Sequence, residues 1–219
     1  MKVFIFSLLC ALFSVGCKHN YETFSDLRDS TQYKIVTINS DTWMSENLNT
    51  STYRNGDLII HASNTQEWIN AANNKVGAWC YYNNDPKNGE IYGKLYNWYA
   101  VNDSRGLAPV GYHISTNDDW EKLTKYYKGD NLAGRYLKER NFFLRFLEGS
   151  NDNVMNILMG GSRSTKGIFY ELNREADFWI SEEYNSDLSS SRTIKKETDN
   201  ITKSYSVKSW GMSVRCVKD

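Results

Sequence analysis

The chain carries no excess of either charge: 26 lysines and arginines stand against 26 aspartates and glutamates in 219 residues. Without a basic field there is no electrostatic reason to expect a nucleic-acid partner. After residue 15 no apolar run approaches the roughly 20 residues that cross a bilayer. Histidine is scarce. His19, His61 and His113 stand far apart, none with a second ligand at i+3 or i+4, so a dedicated zinc site is not expected. No Ser-His-Asp or Cys-His set can be read, and acidic pairs such as Asp118-Asp119 and Glu182-Glu183 read as capping or solvated groups. Gly160-Gly161-Ser162-Arg163 is not followed by the Lys-Ser/Thr of a phosphate loop, nor does a helix open there; it reads as a sheet corner. Asn83-Asn84-Asp85 with Asn88 and Glu90 offers hard oxygen ligands that suit calcium, but an Asx-rich turn accounts for the same residues. No catalytic set, metal site or cofactor is therefore expected.

What the chain does have begins at its N-terminus. Lys2 precedes the apolar run Val3 to Val15, which has the length of a signal-peptide core. The run closes on Ser14-Val15-Gly16-Cys17, a small residue directly before a cysteine, as cleavage by a lipoprotein signal peptidase requires. Residues 1–16 thus read as a lipoprotein signal and Cys17 as the acylated residue. Acyl chains contribute about 0.8 kcal/mol per buried methylene, enough for durable attachment when several are present. The membrane is then a partner through lipid alone, and the protein is exported and held on the cell envelope, at the outer membrane. Cys10 lies in the signal. Cys80 and Cys216 remain, and in an exported chain two remaining cysteines most simply pair, two buried free thiols being the alternative.

Residues 17–32 are polar and without period and read as a tether; residues 33–219 read as one domain. Tyr33–Ile38 and Thr42–Met44, separated by Asn39-Ser40-Asp41, predict a hairpin. Asn64 with Glu67 predicts a capped helix carrying Trp68, Ile69 and Ala72. Residues 83–90 read as a turn and Tyr92–Val101 as a short helix. Thr116 and Asp119 form the clearest capping pair, with Trp120, Leu123 and Tyr127 at helical spacing, and a second helix is expected over Leu132–Glu139. Beyond residue 150 short runs at Val154–Met159, Gly167–Leu172, Asp177–Ser181, Ser189–Ile194 and Met212–Val217 predict an antiparallel meander. Helices gathered in the first half and strands in the second predict an α+β class, short helices packed on a twisted antiparallel sheet.

Several blocks carry a family resemblance. They are Thr42-Trp43-Met44-Ser45-Glu46-Asn47-Leu48, Trp79-Cys80-Tyr81-Tyr82-Asn83-Asn84-Asp85, Tyr92 to Val101, and Gly111 to Thr116 followed by Trp120. Gly160 to Arg163, Phe178 to Ser181 and Ser213 to Val217 continue them in order. The chain resembles the Fibrobacter succinogenes major paralogous domain family of exported proteins and lipoproteins. Two positions depart: Tyr112 stands where the family often has Trp, and Ala108 where it often has Cys, which removes another partner for Cys80 or Cys216. The resemblance implies a C-type-lectin-like fold with the chain ends close together and the N-terminal hairpin near the last strand.

The calcium-bridging sugar triplets of classical lectins are missing from the sequence. Trp43, Trp79, Trp98, Trp120 and Trp179 sit in the family-like blocks and read as core. Lectin-like scaffolds present ligands from polar loops, which makes Tyr184, Arg192 and Trp210, with Tyr205 beside them, the candidate ligand-binding residues. The function these readings imply is a cell-envelope recognition or adhesion module for a glycan or a protein. An enzyme on a formylglycine-generating-enzyme-like scaffold and a structural envelope component are the alternatives.

Overall fold

The computed structural model describes residues 22–138 and 155–219. The expected signal peptide, the acylation site Cys17, Glu139 and Val154 lie outside the described residues. The first half of the chain runs β1 (Glu22–Ser25), β2 (Gln32–Ile38), β3 (Asp41–Met44), β4 (Ile60–His61), α1 (Thr65–Asn73), β5 (Ala78–Cys80), α2 (Pro86–Tyr92), β6 (Leu95–Tyr96) and α3 (Trp98–Val101). Then come β7 (Tyr112–Ile114), α4 (Asn117–Tyr126) and α5 (Asp130–Leu137). The described remainder is all strand: β8 (Ser162–Arg163), β9 (Phe169–Tyr170), β10 (Glu175–Glu183), β11 (Leu188–Lys195), β12 (Ile201–Val207) and β13 (Cys216–Lys218).

Local chemistry explains most helix boundaries. The Asn64 side chain accepts from the Glu67 amide at 2.9 Å, opening α1 where expected, with Trp68 and Ala71 turned inward. Thr116 and Asp119 form a reciprocal capping box at the head of α4. The expected turn over 83–90 is only half a turn. Asp85 caps α2 and Pro86 occupies its first position, where a missing N–H costs nothing. The expected helix over Tyr92–Val101 is in fact a strand and a single helical turn. Gly93 leaves the helix at φ 73°, β6 pairs with β5, and Asn97 recaps the chain as α3. The apolar text of this stretch fits either geometry, so periodicity alone could not separate them.

The principal sheet has the order β1-β2-β3-β13-β7, antiparallel throughout. The last strand thus lies between the N-terminal hairpin and β7, with Val217 opposite both Trp43 and His113. Residues 22–32, expected in the tether, instead form the sheet edge and its turn. Arg28 pairs with Asp26 at 2.6 Å, both buried, and Nη1 donates to the Thr52 and Leu107 carbonyls at 2.8 Å. The meander β10-β11-β12 is a separate antiparallel sheet covered by α4 and α5. The class is mixed helix and sheet as expected, but the largest sheet draws three of its five strands from the first half. At the corner leading into β8, Gly161 takes φ 65°, and a Cβ there would lie 2.4 Å from the Tyr170 carbonyl oxygen. Ser162 and Arg163 pair with β9, so the Gly-Gly-Ser-Arg segment is the expected sheet corner.

Three apolar clusters are found among the described residues. One gathers Tyr33, Met44, Tyr53, Trp79, Trp98, Trp179, Val214 and Cys216. A second joins Trp43, Trp120, Leu137, Phe178, Ile194 and Val217 across both sheets and the two helices. The third holds Trp68, Cys80, Tyr82 and Leu95. The five family-block tryptophans are all buried, as expected of core residues. Cys80 and Cys216 are free, so the expected bridge is not formed. Each thiol is buried in a different cluster, Cys80 behind α1 and Cys216 in the interior of the principal sheet. Among the described residues no helix is long and apolar enough to cross a membrane.

Candidate ligand-binding surface

The meander turns at Glu183 to Leu188, where the Asn185 side chain accepts from the Asp187 and Leu188 amides at 2.9 and 2.8 Å. Lys208 reaches the same turn, donating to Glu183 Oε1 at 2.7 Å and to the Ser186 carbonyl at 2.9 Å. On this braced tip the Tyr184 ring stacks on Tyr205, centroids 4.0 Å apart and planes 28° apart. Tyr184 is 57% and Tyr205 47% exposed, so the pair presents aromatic surface that the fold has not used. Asn185 and Asp187 stand beside it, both exposed. Tyr99 is near enough to Asp187 for that charge, after burial, to raise its phenol pKa.

The other two candidates are elsewhere. Trp210 is half-buried, packs against the first cluster and stacks on Tyr170 at 6.1 Å, forming a second aromatic pair. Arg192 is corrected outright: it is only 1% exposed and cannot meet a ligand at the surface. Its serine-rich surroundings read as a loop but form β11, the central strand of the meander, with α4 and α5 above it. Arg192 Nη2 donates to Asn117 Oδ1 at 3.2 Å, and Nη1 lies 3.6 Å from Asp130 Oδ2. Nε and Nη1 have no hydrogen-bond acceptor among the described residues, and burial pulls the guanidinium pKa down.

A site that the sequence did not disclose surrounds Lys94. This lysine is 5% exposed, and its Nζ donates to the amide oxygen of Asn49 at 2.9 Å and to the Asn49 carbonyl. The ammonium lies 4.5 Å from the Trp79 ring centroid and 5.2 Å from that of Tyr81. His61 stacks on Trp79 at 4.0 Å with the rings nearly parallel. Desolvation lowers Lys94 to about 8, and desolvation with the nearby ammonium lowers His61 as well. Beyond Asn49 opens a groove of about 480 Å³ between the N-terminal hairpin and α2, lined by Gln32, Glu46, Asn49, Glu90 and, at its base, Arg215. A larger hollow of about 710 Å³ shares Ile91 and Leu158 with it. Sequence reading missed Lys94 because a lone lysine in an aromatic block carries no spacing signal.

The remaining polar candidates serve the fold. His113 sits between Asp219 at 2.8 Å and Asp119 at 3.1 Å, tying β7 and the α4 cap to the residue after β13. Asp85 caps α2, Asn88 donates to the Tyr82 carbonyl, and Asn84 accepts from Arg163, so the Asx-rich stretch is spent on turn geometry. Among the described residues no three His, Cys, Asp or Glu side chains converge on a point that suits a metal ion.

The architecture defines a mixed helix-and-sheet domain whose final strand locks its first hairpin, with aromatic surface left bare at the tip of a side sheet. The chain belongs to the Fibrobacter succinogenes major domain family, whose model matches residues 36–218. No curated protein and no solved structure matches it.

Proposed function

We propose that the protein is an exported, lipid-anchored component of the bacterial cell envelope whose C-type-lectin-like domain is a recognition module, and that it takes glycans. The observation that carries this reading is the exposed Tyr184–Tyr205 stack on a turn braced by Lys208. An aromatic face beside amide and carboxylate side chains is the chemistry that holds a sugar ring, the face by stacking and the polar groups by hydroxyl contacts. The apolar run closing on Gly16-Cys17 supports the anchor, and the pairing of β13 with β3 supports the lectin-like reading. Burial pushes the Cys80 thiol up to about 11 and that of Cys216 up to about 12. Neither then offers a thiolate near neutral pH, which weighs against chemistry of the formylglycine-generating type.

The test is a glycan array probed with the wild-type protein and with Tyr184→Ala and Tyr205→Ala. Each substitution should weaken binding at least tenfold while leaving the melting temperature within about 2 °C, since exposed changes cost about 0.5 kcal/mol or less. Unchanged glycan binding in both variants would remove the meander tip as the site. Binding to a partner-cell protein in place of any glycan would turn the reading to protein recognition.

A further inference from the structure

Three turns of the domain meet beside the edge strand β1. Arg28 joins them by donating to the Thr52 and Leu107 carbonyls. Arg54 adds hydrogen bonds to the carbonyls of Ala108, Pro109 and Tyr112 at 3.1 to 3.3 Å. Thr52 pairs with Leu58 across the second turn. Each turn carries an aliphatic side chain in open solvent: Leu27 is 85%, Leu58 78% and Val110 62% exposed. Leu27 and Val110 sit at turn tips, which ordinarily carry Asn, Asp, Ser or Gly for conformational reasons, while Leu58 sits at the bridged base of its turn with its side chain left in water. Three aliphatic side chains thus stand exposed on turns that Arg28 and Arg54 tie together, with no packing use inside the domain.

The position of the chain's start says what covers it. Phe24 of β1 packs on Tyr112 with ring centroids 4.4 Å apart, so the strand passes beside the segment that follows the Val110 turn. β1 is fixed in register from Glu22, opposite Ile35. Only residues 18–21 separate Glu22 from Cys17, a span of at most about 18 Å at full extension. An acylated Cys17 therefore cannot hold this domain on a long stalk; it keeps the β1 edge and the adjoining turns within reach of the lipid.

We propose that Leu27, Leu58 and Val110 dock on the bilayer surface, so that the domain lies on the membrane in one orientation. This rests on the lipid-anchor reading. Aliphatic tips enter the boundary between headgroups and acyl chains, and the anchor supplies the local concentration that makes a small apolar surface sufficient.

The experiment uses the full-length protein, matured in cells and reconstituted into vesicles of phosphatidylethanolamine and phosphatidylglycerol containing a doxyl-labelled lipid. Mass spectrometry of the same sample first reads the acyl adduct on Cys17. Fluorophores are then placed singly at Leu58→Cys, Val110→Cys and, as comparator on the meander, Lys203→Cys; Cys80 and Cys216 are buried and stay unlabelled in the folded protein. Quenching at 58 and 110 should exceed that at 203 at least threefold. A probe at Asn55→Cys should lose at least half its quenching in the Leu27→Ser, Leu58→Ser, Val110→Ser triple variant, with the melting temperature kept. An acylated protein with equal quenching at all three probes overturns the docking and leaves the anchor standing. A chain without the adduct overturns both. Protection of the 58 and 110 probes that scales with protein-to-lipid ratio assigns the surface to a second copy and overturns the membrane as occupant.

Discussion

Lys94 departs from ordinary lysine chemistry because it is buried without a carboxylate partner among the described residues. Its ammonium sits against Trp79 and Tyr81 with two oxygens of Asn49 as acceptors, and desolvation lowers its pKa to about 8 against 10.5 for a free lysine. The unfolded chain therefore binds a proton that the folded chain releases between about pH 8 and 10.5. Stability rises with pH wherever the unfolded state holds more protons, so the cost of the buried charge is present in full below pH 8 and relieved above it. Relative to Lys94→Met, which has no such group, the wild type should gain on the order of 3 kcal/mol between pH 7 and 10.5. Chemical denaturation of both proteins across that range checks this, and parallel curves would mean that the amine is not desolvated. Tyrosines with raised pKa, Tyr33 and Tyr96 among them, act oppositely at high pH but cancel in the difference.

At the scale of elements, α4 is held more firmly than its length suggests. Thr116 Oγ1 accepts from the Asp119 amide, Asp119 accepts from the Thr116 amide and from His113, and His113 reaches on to Asp219. The cap is thus the joint between a helix, β7 and the end of the principal sheet. Thr116→Ala should cost about 1 to 2 kcal/mol in urea denaturation, at the upper end of a single N-cap. Thr116→Ser, which keeps the oxygen, should restore most of it. An alanine variant as stable as the wild type would mean that the sheet, not the cap, positions α4. This element was legible because a capping box is written within four residues. The meander was legible only in part. β12 carries residues exposed on both faces, and β11 carries serines that are buried because neighbours cover them, so neither shows a clean alternation.

For the whole molecule, the decisive connection is non-covalent. β13 joins β3 to β7, and the second cluster bonds both sheets to α4 and α5 without a disulfide. A reductant should therefore leave the melting temperature unchanged, and a thiol reagent should find Cys80 and Cys216 only after denaturant unfolds the chain. A fall of several degrees on reduction would show a bridge that ties the domain.

The sequence by itself determined what depends on near neighbours: the first hairpin, the caps of α1 and α4, the helix-and-sheet class, and the inward tryptophans of the family blocks. Each follows from contacts within a few residues or from apolar area too large to leave in water. The tertiary structure alone decided which polar residues are buried and that Cys80 and Cys216 lie apart. Arg192 lies under two helices more than fifty residues distant in sequence, Lys94 is enclosed by Asn49 and by Trp79 and Tyr81 of the β5 segment, and the thiols fall into different clusters. Residues 22–32 became a sheet edge because β2 offered unpaired backbone groups, and a polar stretch that satisfies them looks in sequence like a linker. Burial is set by what packs against a residue from afar, and a single chain of letters does not contain that distance.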